Sequence, residues 1–177
     1  MNDRLPTRQM ALKLLFKSRC SRKVIEHCKT VASLAVQIAK ACKEKGLNVD
    51  VQLVEIGALL HDIGRSRTHT IDHAIVGAEI AKSLGLPNPI VSIIERHAGG
   101  GIDIDEAKQL GWPIKSYLPQ TMEEKIVCYA DKLIEGKRRV KIERTIGKLS
   151  KELGKMHPSL GRIAKLHEEF SSLVGDL

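Results

Sequence analysis

Aromatic residues are scarce in this chain: its 177 residues include one tryptophan, two tyrosines and two phenylalanines. A core has to be assembled from Ala, Val, Ile and Leu, which suits closely packed helices. The basic stretches also lack the interleaved rings on which single-stranded bases stack. Long apolar runs are missing, and none approaches the roughly 20 residues that a membrane span requires, so no membrane association is expected. No segment alternates at period 2 as a half-buried strand would, and there is no internal repeat or low-complexity stretch. Cys20, Cys28, Cys42 and Cys128 form no Cys-x-x-Cys pair, so reduced core thiols are expected. Arg4, Arg8 and Lys13 precede no uninterrupted apolar segment with a cleavage site, and a cytoplasmic location is expected.

What is abundant is positive charge, with a formal net charge of +8. It is uneven: Arg4–Lys29 and Lys137–Lys165 are basic, whereas Asp103–Glu124 leans acidic. A solvated basic surface is the ordinary reading, and attraction of nucleic acid or an anionic substrate is the functional one.

The periodicity is helical throughout. Thr7–Phe16 carries Met10, Leu14 and Leu15 at helical spacing. Ser21 caps a long helix, with Val24, Val31, Leu34 and Ile38 on one stripe, that ends near Gly46. Asp50 caps Val51–Ile63, Asp72 caps His73–Leu84, and Pro89 lies in the first turn of a helix reaching His97 before Gly99-Gly100-Gly101. Asp103 with Glu106, and Thr121 with Glu124, read as capping boxes, the second opening a helix through Asp131 to Glu135. Ile142–Leu153 and Ser159–Val174 complete an all-α bundle of roughly seven to nine helices. The expected organisation is one domain over 1–177, with a core at about 21–136 and basic helices at 137–177.

Four residues carry the chemistry. His61 and Asp62 are adjacent in Leu59-Leu60-His61-Asp62-Ile63-Gly64. Neighbours on a helix point about 100° apart, so one metal takes both only where the helix ends, and Gly64 stands where a C-cap glycine would sit. His27 shares a helix face with Val24, Val31 and Leu34, and Asp131 sits among Val127, Ala130 and Ile134, so both point inward. A buried carboxylate is costly unless paired or metal-bound. A divalent cation gives all four a common cause, since imidazole and carboxylate suit Zn²⁺, Mn²⁺ or Fe²⁺.

The order His27 … His61-Asp62 … Asp131, with Ile63-Gly64 and Ala130-Asp131-Lys132, resembles the HD superfamily of metal-dependent phosphohydrolases, in its HDIG form, over about Arg22–Gly136. The resemblance implies a ligand set of His27, His61, Asp62 and Asp131 for a divalent metal such as Mn, Fe, Zn or Mg. If the helices starting at His73 and ending at His97 form an antiparallel hairpin, those two histidines meet near the site. Dinuclear members carry histidines in corresponding places, so the resemblance implies Asp62 bridging two ions, with His73 and His97 holding the second. A third histidine found in some relatives is absent, because Ala98 follows His97. The resemblance also gives Arg65 a role on substrate phosphate, for which its fork geometry is suited. Arg67 and Arg96 are weaker candidates of that kind, and Asp72 or Glu95 is a candidate for proton transfer.

The implied activity is hydrolysis of a phosphoester or phosphoanhydride, with a nucleotide as the substrate class. Dinucleoside polyphosphates and deoxynucleoside monophosphates both fit. Gly111-Trp112-Pro113 lies far from His97 and lacks the His-Glu context of the cyclic-dinucleotide enzymes of the superfamily. The same ligand order fits a di-iron HD-type oxygenase, and also a non-catalytic, metal-stabilised module whose basic flanks bind nucleic acid or a protein. Thr7–Phe16 either packs on the core or mediates a homo-oligomer. His69, His157 and His167 read as surface residues.

Overall fold

Most of the helices begin where a side chain can satisfy a backbone N–H group left free by the first turn. In the computed structural model, which describes residues 4–175, Thr7 caps α1 (Arg8–Lys17) by accepting from the Met10 amide. Ser21 caps α2 (Arg22–Glu44) through Val24, and Asp50 caps α3 (Val51–Leu60) through Leu53. Helices α4 (His73–Ser83) and α5 (Asn88–Arg96) follow, the latter with proline in its first turn. Reciprocal capping boxes open α6 (Ile104–Gln109) and α7 (Met122–Lys132), and α8 (Ile142–Leu153) and α9 (Pro158–Val174) close the described chain. The architecture is all-α, with nine α-helices among the described residues. The terminal residues 1–3 and 176–177 of the expected 1–177 span lie outside them.

The core forms where α2 lies against α3, α7 and α9, and α3 against α5 and α7. The inner stripe of α2, including Cys28, Val31, Ala35, Ile38 and Cys42, is fully buried. Full burial of an aliphatic side chain contributes about 1.5–3 kcal/mol. Helix α3 is apolar on nearly every side and accordingly sits at the centre. Gly57 allows its close approach to α5, since a Cβ there would lie 2.5 Å from Ile93 Cδ1. All four cysteines are free and buried, as expected. A smaller cluster gathers Ala74, Ala98, Ile102, Ala107, Trp112 and Tyr117, with the Trp112 and Tyr117 rings edge-on at 5.2 Å. Helix α9 places Ile163, Leu166 and Phe170 in the main core.

Local expectations need correction in four places. Helix α3 stops at Leu60, and Ile63–Ser66 is a 3-10 turn rather than its last turn. Gly64 is not among the positive-φ glycines, so it is no C-cap; a Cβ there would run into the His73 carbonyl oxygen and the Gly77 amide. Helix α7 ends at Lys132 instead of Glu135, because Gly136 at φ 63° turns the chain into a short antiparallel pair, β1 (Ile134–Glu135) and β2 (Arg138–Arg139). The Asp72 side chain makes no cap bond, because it accepts from Trp112 Nε1 at 2.7 Å and from the Thr70 hydroxyl at 2.9 Å.

Candidate metal centre

Helix ends converge on one point inside this bundle. His61 is the C-terminal cap residue of α3, His97 that of α5, and His73 the first residue of α4, while His27 and Asp131 project from α2 and α7. Contact between Gly64 and the first turn of α4 brings His73 alongside Asp62. His61, Asp62, His73 and His97 are at most 5% exposed, whereas the His27 and Asp131 side chains remain 16% exposed toward a cavity.

The four histidines share one arrangement. Nδ1–H of His61 donates to the Ala58 carbonyl, that of His73 to Thr70 and that of His97 to Ile94, each at 2.7 Å. Nδ1–H of His27 donates to Gly136 at 3.0 Å. A carbonyl only accepts, so Nδ1 carries the hydrogen, and in a neutral ring the lone pair is on Nε2. All four Nε2 atoms face the two carboxylates. His27 Nε2 lies 3.0 Å and His61 Nε2 3.4 Å from Asp131 Oδ1. His73 Nε2 and His97 Nε2 lie 3.2 and 3.4 Å from Asp62 Oδ1. The other oxygen, Asp62 Oδ2, accepts from Arg65 Nε at 2.7 Å and lies 3.7 and 3.8 Å from His61 and His27. Asp62 therefore turns one oxygen toward each pair of histidines.

Two atoms at the centre have no hydrogen-bond partner: His61 Nε2 and Asp62 Oδ1, both fully buried. Leaving such groups unsatisfied costs about 1–3 kcal/mol each, more if charged. Donor atoms of His27, His61 and Asp131, and those of His61, Asp62 and His97, lie within 4.8 Å of one another. Orphaned imidazole and carboxylate atoms at that spacing fit a divalent cation, and the carbonyl-anchored rings match the outer-shell bonding usual for metal-binding histidines.

The electrostatics follow from burial and crowding. Burial opposes charge on Asp62, but His61, His73 and His97 hold its carboxyl well below the usual range. Burial likewise opposes charge on Asp131, and Lys132 with His27 and His61 holds it well below. Burial, with His61 and His73 alongside, pushes His97 down to about 4 against the help of Asp62. For His61 burial also works against the proton, yet the Asp62 and Asp131 carboxylates prevail and its pKa lies well above the ordinary value.

A cavity of about 560 Å³ opens from this floor, lined by His27, Arg65, His73, His97, Asp131 and Lys132 at one end. The structure thus assembles all of His27, His61, Asp62, Arg65, His73, His97 and Asp131 in one place. Lys132, to which sequence reading assigned no role, donates from Nζ to Asp131 Oδ2 at 2.6 Å and to the His97 carbonyl at 3.3 Å. Its signal was present in Ala130-Asp131-Lys132. The secondary candidates do not join. Glu95 is paired with Lys115 and Asp72 is held by Trp112, and neither lines the cavity. Arg96 is bound to Glu124 at 2.9 Å, and Arg67 is exposed away from the cavity lining. His69 is exposed as expected. His157 lines the cavity and caps α9, and His167 bonds Tyr129 Oη, so neither is a plain surface residue.

A family model described as the HD domain matches residues 24–136. The chain belongs to the HD domain family. HD domains bind divalent metals, and the His/Asp cluster described above can hold one. An uncharacterized protein of Methanocaldococcus jannaschii is 52% identical over 166 residues, covering 94% of this chain and 98% of the relative. A tRNA (cytidine(56)-2′-O)-methyltransferase of Thermoplasma volcanium is 43% identical over 171 residues, which is 97% of this chain and 48% of the enzyme. The chain thus spans about half the length of that methyltransferase. Among solved structures, the HD domain of the L. monocytogenes phosphodiesterase PgpH, in complex with cyclic-di-AMP, shares the fold: TM-score 0.53 at 18% identity, covering 95% of this chain and 98% of that one. Among the described residues no helix is long and apolar enough to cross a membrane.

Proposed function

We propose that this HD domain is a metal-dependent phosphohydrolase that cleaves a phosphoester or phosphoanhydride of a nucleotide. The observation that carries the reading is the pair of orphaned buried atoms, His61 Nε2 and Asp62 Oδ1, directly behind His27, His73, His97 and Asp131, which line a cavity that also presents Arg65 and Lys132. A carboxylate-rich set opening on a cavity differs from the closed Cys/His sets of structural zinc sites.

In this reading His27, His61, Asp62 and Asp131 hold one ion, and Asp62, His73 and His97 a second. Bound there, divalent cations supply Lewis acidity toward phosphoryl oxygens and water. The carbonyl-bonded Nδ1 atoms fix each ring, so the Nε2 atoms need no reorganisation. Arg65 keeps Asp62 oriented through Nε and turns its terminal nitrogens toward the cavity rim, near the His69 carbonyl and His73. A phosphate entering the cavity can take those nitrogens in a two-pronged contact. Lys132 holds Asp131 and adds positive charge beside the same end.

The test is phosphate release from a panel of nucleotides, including dinucleoside polyphosphates and deoxynucleoside monophosphates, with Mn²⁺, Fe²⁺, Zn²⁺ or Mg²⁺. Metal content is measured on the same preparations. Release that depends on metal and is abolished by Asp62→Ala supports the proposal. Bound iron with oxygen-dependent turnover and no phosphate release would replace it with an oxygenase. Metal bound without turnover, beside salt-sensitive RNA binding that survives His61→Ala, would replace it with a binding module.

A further inference from the structure

The other half of the cavity draws on residues from both sides of the family match's boundary. Helix α8 (Ile142–Leu153) is outside matched residues 24–136, yet it lends Leu149 and Leu153 to the lining. Ile102 and Leu110, beside α6, line the same space. Leu153 and Leu110 remain 46% and 40% exposed, an apolar rim of the sort that marks a binding groove. Both walls are anchored. Arg162 of α9 donates from Nη2 to the Gly101 carbonyl at 2.9 Å and to Glu106 at 2.6 Å, fixing the α6 side. Thr145 Oγ1 donates to the Lys132 carbonyl at 2.6 Å, tying α8 to the residue that follows Asp131.

We infer that this half of the cavity is a nucleobase subsite, with the base among Ile102, Leu110, Leu149 and Leu153 and its phosphate directed to Arg65 and Lys132. The inference rests on the phosphohydrolase reading above and deepens it. A heterocycle has apolar faces and a polar edge. The aliphatic lining suits the faces, and Gln109 and Glu152, also in the lining, offer an amide and a carboxylate to the edge. Inorganic phosphate alone would leave the leucines uncovered. The volume of about 560 Å³ lies within the roughly 300–1,000 Å³ typical of small-molecule sites, enough for one nucleotide unit. That unit is either a free nucleotide or the end of a polynucleotide.

The experiment uses the full, metal-free chain, so that it reads binding rather than turnover. Methyl signals of Ile102, Leu110, Leu149 and Leu153 are followed by NMR while nucleoside monophosphates or ribose 5-phosphate are added. Nucleotides are expected to shift these methyls, whereas the base-free sugar phosphate is not. Leu153→Ala, at a largely exposed position, and Leu149→Trp, which fills the space, are expected to weaken nucleotide binding by on the order of tenfold through lost apolar contact and leave ribose 5-phosphate binding unchanged. Equal binding of the two ligands by wild type, or undiminished nucleotide binding by both variants, overturns the subsite. Metal-dependent phosphate release by the wild-type chain would still stand in that case. Base-dependent shifts without any metal-dependent release would sink the hydrolase and keep the subsite. Linear and circular forms of a short RNA separate the two sources: binding of the linear form alone assigns a chain end, and binding of neither assigns the free nucleotide.

Discussion

His73 and His97 present their Nε2 atoms to each other at 3.0 Å, although Nδ1 of each already donates to a backbone carbonyl. With both rings neutral, two lone pairs meet. Protonation of His97 gives no way out near neutrality, because it is pushed down to about 4, by burial first and by neighbouring His61 and His73 as well. The contact is resolved by a single proton shared between the rings or by a cation. A cation held with Asp62 would turn the repulsion into coordination. His97→Ala is therefore expected to lower the bound metal by one ion per chain. The affinity lost there should exceed the roughly 10–100-fold typical of removing an outer-shell partner. Elemental analysis against protein concentration checks this, and an unchanged ratio would refute the two-ion arrangement.

Arg65 is expected to act through geometry as much as charge. Its Nε–H bonds Asp62 Oδ2 at 2.7 Å, while the terminal nitrogens make only the long contacts of 3.5 and 3.4 Å to the His69 carbonyl and His73 Nε2, which a phosphate can replace. A single ammonium cannot copy that division of labour. Arg65→Lys should therefore lower kcat/KM by roughly 10–100-fold, the equivalent of a lost charged hydrogen bond. Metal content should be retained. A lysine variant with wild-type kinetics would show that charge alone suffices.

The helix pattern was legible because caps and stripes are local: Ser21, Asp50 and Thr121 open helices where their side chains can reach the third amide onward. The cluster of His27, His61, Asp62 and Asp131 was legible because inward-facing ionisable residues stand out against apolar faces. Roles that depend on distant partners were not. Nothing near Glu95 or Arg96 announces Lys115 or Glu124, and nothing near His27 announces Gly136, 109 residues away. The cavity wall formed by α8 was hidden for the same reason, since its basic composition reads as solvated surface. One signal was available and unused: His61, His73 and His97 each stand at a helix end, where the carbonyl three residues earlier can anchor Nδ1.

Glycine at 64 is required by contact rather than by φ. Gly64→Ala would drive its Cβ into the His73 carbonyl oxygen and the Gly77 amide, both backbone atoms unable to turn aside. The expected destabilisation is at least about 1–3 kcal/mol, the usual range for overpacking, and displacement of His73 should reduce metal uptake as well. Gly147 of α8 provides the control, because a Cβ there meets nothing within 4 Å. Gly147→Ala should stabilise by about 0.4–1 kcal/mol through the unfolded chain. Thermal denaturation of both variants tests the contrast, which collapses if the two shift in the same direction.

Metal uptake should depend on pH with a sign set by His61. Its folded pKa is raised, by Asp62 and Asp131 against burial. The His61 proton therefore stabilises the metal-free protein fully below the unfolded value of about 6.5, and that contribution fades as pH rises through the higher folded value. An ion on His61 Nε2 must displace the same proton. Affinity should climb as pH rises through that range, while the stability of the metal-free chain declines. Asp62 and Asp131 act on the other side: their lowered pKa values stabilise the fold above the ordinary carboxylate value and lose that effect as acid protonates them. Calorimetric titration of metal in buffers of different ionisation enthalpy counts the protons released. Affinity that stays flat across the neutral and mildly alkaline range, with no proton released, would mean that His61 is not a ligand.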